Sequence, residues 1–251
     1  MNRRELPRTA RRAGRVALAT ATVSALLTLG VPDAGAAPPA GGTSVAEAGL
    51  GTARVGALFA GGLGGGHFCT ASVVRSAGRD LIATAAHCLG RAQDTVFVPG
   101  YREGAAPYGV WRITGVHEDP SWAATGNPDA DVAFATLAPL EGRRIEDVVG
   151  AFPVAADQPD GVPVTVVGYP SSEEEPLTCS NATTMASVSQ RRIGCPDLSG
   201  GTSGSPWLVG GALAGVLGGF EGGGTEPDVS YSAVLGGPAQ ELYRQAAAGR
   251  G

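Results

Sequence analysis

Between residues 55 and 234 the chain breaks into short runs rich in apolar, β-branched and aromatic residues, several of them ended by glycine or proline. The runs fall at 55–59, 69–76, 81–84, 94–99, 110–117, 132–137, 162–169, 183–189, 206–209, 212–217 and 229–234. Segments this short, bounded by turn residues, predict strands. Two of the breaks, Ala77-Gly78-Arg79-Asp80 and Gly210-Gly211, have hairpin chemistry. Between His117 and Asp131, the residues Pro120, Gly126, Asn127 and Pro128 predict a loop. At 238–248 the period changes, and Leu242, Tyr243 and Ala246 share one face of a terminal helix. Many short strands and one helix specify an all-β fold, and pattern alone leaves sandwich and barrel both open.

The first 36 residues do not belong to that rhythm. Six arginines (Arg3, Arg4, Arg8, Arg11, Arg12, Arg15) precede an apolar run at 16–31 and then Ala34-Gly35-Ala36. This is the order of a secretory signal peptide with an A-x-A cleavage site, so residues 1–36 are expected to be removed. Residues 37–54 then form a small, polar N-terminal arm or short propeptide. The apolar run is too short, and too interrupted by Thr20, Thr22, Ser24 and Thr28, to span a membrane. Arg11-Arg12 is followed by Ala-Gly-Arg, a poor twin-arginine match, and the export route stays open.

The chain has 18 basic residues, all arginine, and 23 acids; six and two of these precede Ala37, leaving twelve against 21 and a net charge of −9. A secreted, acidic protein of about 215 residues is ill suited to nucleic acid or an anionic membrane, and is expected to be a monomer free of the membrane after cleavage. Its length suits one large or two small domains. Four cysteines (Cys69, Cys88, Cys179, Cys195) in an exported chain predict two disulfides, with three connectivities open. The absence of a C-x-x-C spacing speaks against metal.

The chemistry lies in Gly200-Gly201-Thr202-Ser203-Gly204-Ser205-Pro206-Trp207. A serine hydroxyl is a weak nucleophile until a base takes its proton, and attack on a carbonyl creates an oxyanion that needs donors. Glycine at 201 and 204 allows a turn that aims the Gly201 and Ser203 N–H groups into one hollow. Alone, in a chain of 40 glycines, the stretch would read as a flexible loop. A base and an acid stand upstream, however: His87 in Thr84-Ala85-Ala86-His87-Cys88, and Asp131 heading Asp131-Val132-Ala133-Phe134-Ala135-Thr136-Leu137.

These three motifs, in the order His, Asp, Ser, resemble the chymotrypsin/trypsin-like serine proteases from about Val55 to the terminal helix. The resemblance implies two six-stranded antiparallel β-barrels, at about 55–140 and 141–237, and a C-terminal helix at about 238–248. It implies that Ser203 is the nucleophile, His87 the base, Asp131 the orienting acid, and Gly201 and Ser203 the oxyanion hole. It joins Cys69 to Cys88, which leaves Cys179 with Cys195. Polypeptides are the implied substrates, and no metal or organic cofactor is called for. The animal digestive enzymes carry aspartate before the nucleophile, to pair with a new N-terminal amine; this chain has Thr202. The pocket is therefore expected to form without N-terminal insertion, as in the secreted bacterial branch that includes the glutamyl endopeptidases.

Specificity rests on residue counting. In the trypsin-like pattern the residue six before the nucleophile lies at the base of the specificity pocket, which gives Asp197, and Asp228 falls near the opposite wall. Carboxylates there would pair with a substrate arginine or lysine. Cys195 lies eight residues before Ser203 rather than four, so the loop differs, and Asp197 capping a turn after Pro196 is the competing reading. Glutamate specificity has less support, because the wall at 215–219 has no histidine to receive an acid.

Other candidates are set lower. His67 and His117 are expected at the surface, Asp129 is a weaker candidate acid than Asp131, and Glu173-Glu174-Glu175 reads as a solvated turn. An α/β-hydrolase would need glycine at 205 and a histidine after the serine, and neither is present. A silent, protease-like binding protein would be expected to have lost part of the triad. Because a histidine base must be neutral, kcat/KM is expected to rise with pH through neutrality; a rate flat from about pH 5 to 9, with chemistry limiting, would exclude it.

Overall fold

The computed structural model of the chain describes residues 41–90, 94–155, 160–226 and 228–249; the signal peptide expected at 1–36 lies outside them. The chain enters on β1 (Thr43–Val45) and continues through β2 (Val55–Ala60), β3 (His67–Val74), β4 (Leu81–Thr84), β5 (Thr95–Pro99) and β6 (Trp111–Glu118). Helix α1 (Pro120–Thr125), β7 (Ala133–Leu137) and helix α2 (Ile145–Val149) complete the first half. The second half holds β8 (Pro163–Gly168), β9 (Leu177–Met185), β10 (Gln190–Gly194), β11 (Pro206–Val209), β12 (Ala212–Val216) and β13 (Val229–Ala233), and ends on helix α3 (Gly237–Ala247).

Strands β2-β3-β4-β7-β6-β5 close into an antiparallel barrel, while β12-β11-β8-β9-β10-β13 form a second antiparallel sheet with β1 added on β9. Both faces of β2 are buried, which explains its nearly continuous apolar sequence. Leu58 packs inside the barrel with Val73, Ile82, Phe97 and Trp111. Val55, Ala57 and Phe59 pack instead with Val167, Tyr169 and Val216 of the second sheet. Burying a side chain such as Phe97 or Ile82 contributes about 1.5–3 kcal/mol. At Gly56 a Cβ would come within 2.4 Å of the Val98 carbonyl, so glycine is what lets β2 approach β5.

The disulfides are Cys69–Cys88, tying β3 to the turn after β4, and Cys179–Cys195, tying β9 to the end of β10. Closing loops of 19 and 16 residues, each contributes roughly 3 kcal/mol.

Several details differ from expectation. The second sheet is an open half-barrel: β12 and β13 form no ladder, and Val216 N–H donates to Ser232 Oγ at 3.1 Å and Gly218 N–H to the Tyr231 carbonyl at 2.9 Å instead. The strand expected at 183–189 runs over Leu177–Met185, and β10 follows after a turn in which Ala186 and Ser187 both donate to the Gln190 carbonyl. Thr178, Ser180, Asn181 and Thr184 on β9, with Arg191 and Arg192 on β10, hide the alternation by which strands are recognised.

The loop expected before Asp131 contains α1, capped by Asp119, which accepts from Ser121 N–H at 2.8 Å, and closed by Gly126 at φ 64°. The Ser121 hydroxyl and N–H hold the Asp119 carboxyl below the usual carboxylate range. Residues 41–54, expected as an arm or propeptide, are fixed on the body: β1 pairs with β9, Ala46 is buried, and Thr43 Oγ1 donates to the Pro196 carbonyl at 2.6 Å.

His67 is not at the surface. A bulge at Leu58/Phe59 turns its ring among Phe59, Tyr101 and Tyr169, with Nε2 at 3.0 Å from the Glu173 carbonyl. The acidic triplet keeps Glu173 and Glu174 exposed, as expected of a solvated turn, while Tyr101 donates to Glu174 and Arg102 pairs with Glu175 at 2.6 Å.

Candidate active site

His87 sits in the 3-10 turn Ala86–Leu89 that leaves β4, and the Cys88 disulfide pins that turn to β3. Asp131 ends a second 3-10 turn, Pro128–Ala130, capped by the Asn127 side chain and feeding β7. Because β4 and β7 are hydrogen-bonded neighbours, the two residues arrive at the same end of one barrel. His87 Nδ1 lies 2.7 Å from Asp131 Oδ2, and the His87 backbone N–H donates to Asp131 Oδ1 at 3.0 Å. From the other sheet, Gly219 N–H donates to Asp131 Oδ2 at 2.8 Å. Asp131 is 1 % exposed, whereas the His87 side chain keeps 28 % exposure. A buried carboxylate with three donors holds the imidazole by Nδ1 and leaves Nε2 for chemistry.

The serine turn is built from contacts distant in sequence. Thr70 N–H donates to the Ser203 carbonyl at 2.7 Å, and Thr70 Oγ1 to the Gly201 carbonyl at 3.1 Å. Thr84 Oγ1 donates to the Thr70 carbonyl at 2.7 Å. Both threonines are fully buried and fasten the turn of the second sheet to the barrel carrying His87. Gly204, at φ 82°, is required: a Cβ would lie 2.1 Å from the Thr70 carbonyl and 2.1 Å from Thr84 Oγ1. Thr202 is held locally, its N–H and hydroxyl both on the Ser199 carbonyl at 3.1 and 2.6 Å. Among the described residues, the Gly201 and Ser203 N–H groups have no acceptor within the protein. Ser203 Oγ donates to the Gly222 carbonyl at 3.5 Å, and no hydrogen bond joins it to His87 among the described residues. Such bonds commonly tighten only when substrate binds.

Beside Ser203 opens a cleft of about 430 Å³, lined by Asp197, Glu226 and Asp228 and by glycines 222–224. Asp197, which is exposed, and Asp228 both line this cleft, together with Glu226, which was not singled out in the sequence. Among the described residues, no basic side chain lines the cleft. Asp197 and Asp228 adopt φ of 63° and 64°, a left-handed conformation that aspartate tolerates. The competing turn-cap reading of Asp197 finds only its backbone in use, since its carbonyl, not its carboxylate, accepts the Ser199 N–H.

Trp122 and Tyr169 also went unread in the sequence. Trp122 of α1 stands over His87, with ring centroids 6.4 Å apart. Asp129, the weaker candidate acid, accepts from Gln190 Nε2 at 2.9 Å. Burial pushes the Tyr169 hydroxyl well above its usual range, so the residue whose carbonyl would lie 2.6 Å from a Cβ on Gly201 stays neutral. Cys69, His87 and Cys88 have ligand atoms within 4.8 Å of one another, but the two sulfurs are joined as a disulfide and offer no thiolate.

The family model for the trypsin-like peptidase domain matches residues 69–216. Among solved structures, the protease Anisep from Arthrobacter nicotinovorans is 31 % identical, with a TM-score of 0.69 over 78 % of this chain and 96 % of its own. A thermostable serine protease, AL20, from an extremophilic microorganism is also 31 % identical, with a TM-score of 0.70 over 79 % and 99 %. A Glu endopeptidase shares the fold at 17 % identity, with a TM-score of 0.68 over 83 % and 97 %. No curated protein matches the sequence.

Proposed function

The chain belongs to the trypsin-like peptidase family, and from that premise we propose that it is a secreted serine endopeptidase working through an acyl-enzyme. Ser203 attacks the scissile carbonyl, His87 takes its proton through Nε2 and returns it to the leaving amine, and Asp131 fixes the imidazole and stabilises the imidazolium. The Gly201 and Ser203 N–H groups receive the oxyanion. The observation carrying this reading is the 2.7 Å contact of His87 Nδ1 with a buried carboxylate at the end of the barrel that holds the Ser203 turn. Two disulfides fit an oxidising, extracellular setting. No helix among the described residues is long and apolar enough to cross a membrane.

For the substrate side chain we propose arginine or lysine. Three carboxylates and no base line the cleft beside Ser203, which disfavours an acidic side chain and attracts a cationic one. A peptide library should therefore show cleavage after Arg or Lys. Asp197 is exposed, so water screens part of its attraction; Asp197→Ser should lower kcat/KM on such peptides by about ten- to a hundredfold. Cleavage after Phe, Leu or Glu, unchanged by Asp197→Ser, would refute the pocket assignment and leave the Ser203 chemistry standing.

A further inference from the structure

Gln190 opens β10, and its side chain is buried at 5 % exposure, a setting in which an amide must find partners. Its Nε2 donates to the Pro128 carbonyl at 3.0 Å and to Asp129 Oδ1 at 2.9 Å. Its Oε1 accepts from the Phe220 N–H at 3.3 Å. The amide's two donors thus face the barrel that carries Asp131, and its acceptor faces the segment that follows Gly219.

Both anchor points bear on Asp131. Pro128 and Asp129 form the 3-10 turn that ends at Asp131, and the Asp131 N–H shares the Pro128 carbonyl at 3.4 Å. Phe220 follows Gly219, whose N–H donates to the Asp131 carboxylate at 2.8 Å. One segment sets the Asp131 backbone and the other sets its carboxylate. They come from different sheets, and a single amide ties them together. Its fit is close: a Cβ on Gly219 would come within 2.4 Å of Gln190 Oε1, and Gly219 has φ 81°.

We propose that Gln190 is a positioning residue, clamping the turn before Asp131 to the segment that donates to its carboxylate and so holding the imidazole of His87 in line. The consequence for catalysis rests on the peptidase reading, while the clamp itself concerns only the Asp131–His87 pair. Glutamine suits the place because two donors and an acceptor are needed at once. Glutamate could still accept from Phe220 but would face Asp129 with a like charge and donate nothing.

The test is Gln190→Glu, alone and combined with Asp129→Asn, with Gln190→Met carried alongside as an uncharged variant of similar volume. With kcat counted per site titrated by a fluorophosphonate, both single variants should lose at least tenfold in kcat while KM changes less than threefold. In the double variant the amide introduced at position 129 can donate to the carboxylate introduced at position 190. Most of the lost kcat should then return, a rescue that a packing role would not give. A second readout needs no turnover. The His87 Nδ1 proton should give a low-field NMR resonance in the unaltered protein that is lost in Gln190→Glu and restored in the double variant. Should one single variant not fold, the other decides. A folded Gln190→Glu or Gln190→Met with kcat and the low-field proton both unchanged overturns the clamp. An unaltered protein that shows the proton, loses it on Gln190→Glu and cleaves no peptide overturns the peptidase reading and leaves the clamp standing.

Discussion

Replacing Ser203 by alanine should lower kcat about a millionfold, and replacing His87 by alanine should do the same. Such a loss corresponds to about 8 kcal/mol of transition-state stabilisation. The double variant should be hardly worse than either single one, because a nucleophile without its base, or a base without its nucleophile, supplies nothing to the covalent step. Neither change should disturb the fold. The Ser203 side chain makes one long contact, 3.5 Å to the Gly222 carbonyl, and the Ser203 backbone is held by Thr70 independently of the hydroxyl. Single-turnover and steady-state rates on an arginine peptide would measure the effect. A Ser203→Ala protein keeping a tenth of its rate would remove Ser203 from the mechanism.

Asp131→Asn should lower kcat on the order of ten-thousandfold while leaving the protein folded. Asp131 accepts three N–H groups: the His87 backbone at 3.0 Å, the His87 ring at 2.7 Å and Gly219 at 2.8 Å. A carboxylate has lone pairs for all three, whereas asparagine must turn its NH2 toward at least one of them. If the NH2 takes the place of Oδ2, it faces both Nδ1 and the Gly219 N–H: the imidazole keeps its proton on Nε2, where it cannot take one from Ser203, and the Gly219 donor meets a donor. If it takes the place of Oδ1, it meets the His87 backbone N–H, donor against buried donor. The assay is kcat as a function of pH, with circular dichroism as the check on folding. An Asp131→Asn enzyme keeping a third of the rate would show that another acid orients His87.

His87, Asp131 and Ser203 were legible as candidates because each lies in a compact motif whose neighbours are themselves informative. The Ala85-Ala86-His87-Cys88 turn announces the His87 setting, and the apolar run after Asp131 separated it from Asp129 two residues earlier. The strands of the closed barrel were legible for a similar reason, since Leu81-Ile82-Ala83 and Ala133-Phe134-Ala135 are apolar on both faces and end at clear turns. What stayed hidden depends on partners far along the chain. The Thr70 hydroxyl finds its acceptor 131 residues away at Gly201, and the Gln190 amide meets Pro128 and Asp129 at separations of 62 and 61. Nothing local to a buried threonine or glutamine advertises such a bond. The open seam of the second sheet was equally invisible, since it turns on where the Ser232 hydroxyl lies relative to Val216. Glu226 was missed although Asp228, two residues later, was placed near the opposite wall, because no local pattern at 224–227 shows which side chains of that wall line the cleft.

The turn before Ser203 is secured from within, with the Thr202 hydroxyl and N–H both resting on the Ser199 carbonyl. In a peptidase whose pocket waits for a newly cut amine, folding and activity are separate events, and a second protease sets the interval between them. On the peptidase reading proposed above, the Ser199 carbonyl satisfies Thr202 with no newly cut amine, so the setting of the serine turn arises with folding rather than with a later cut.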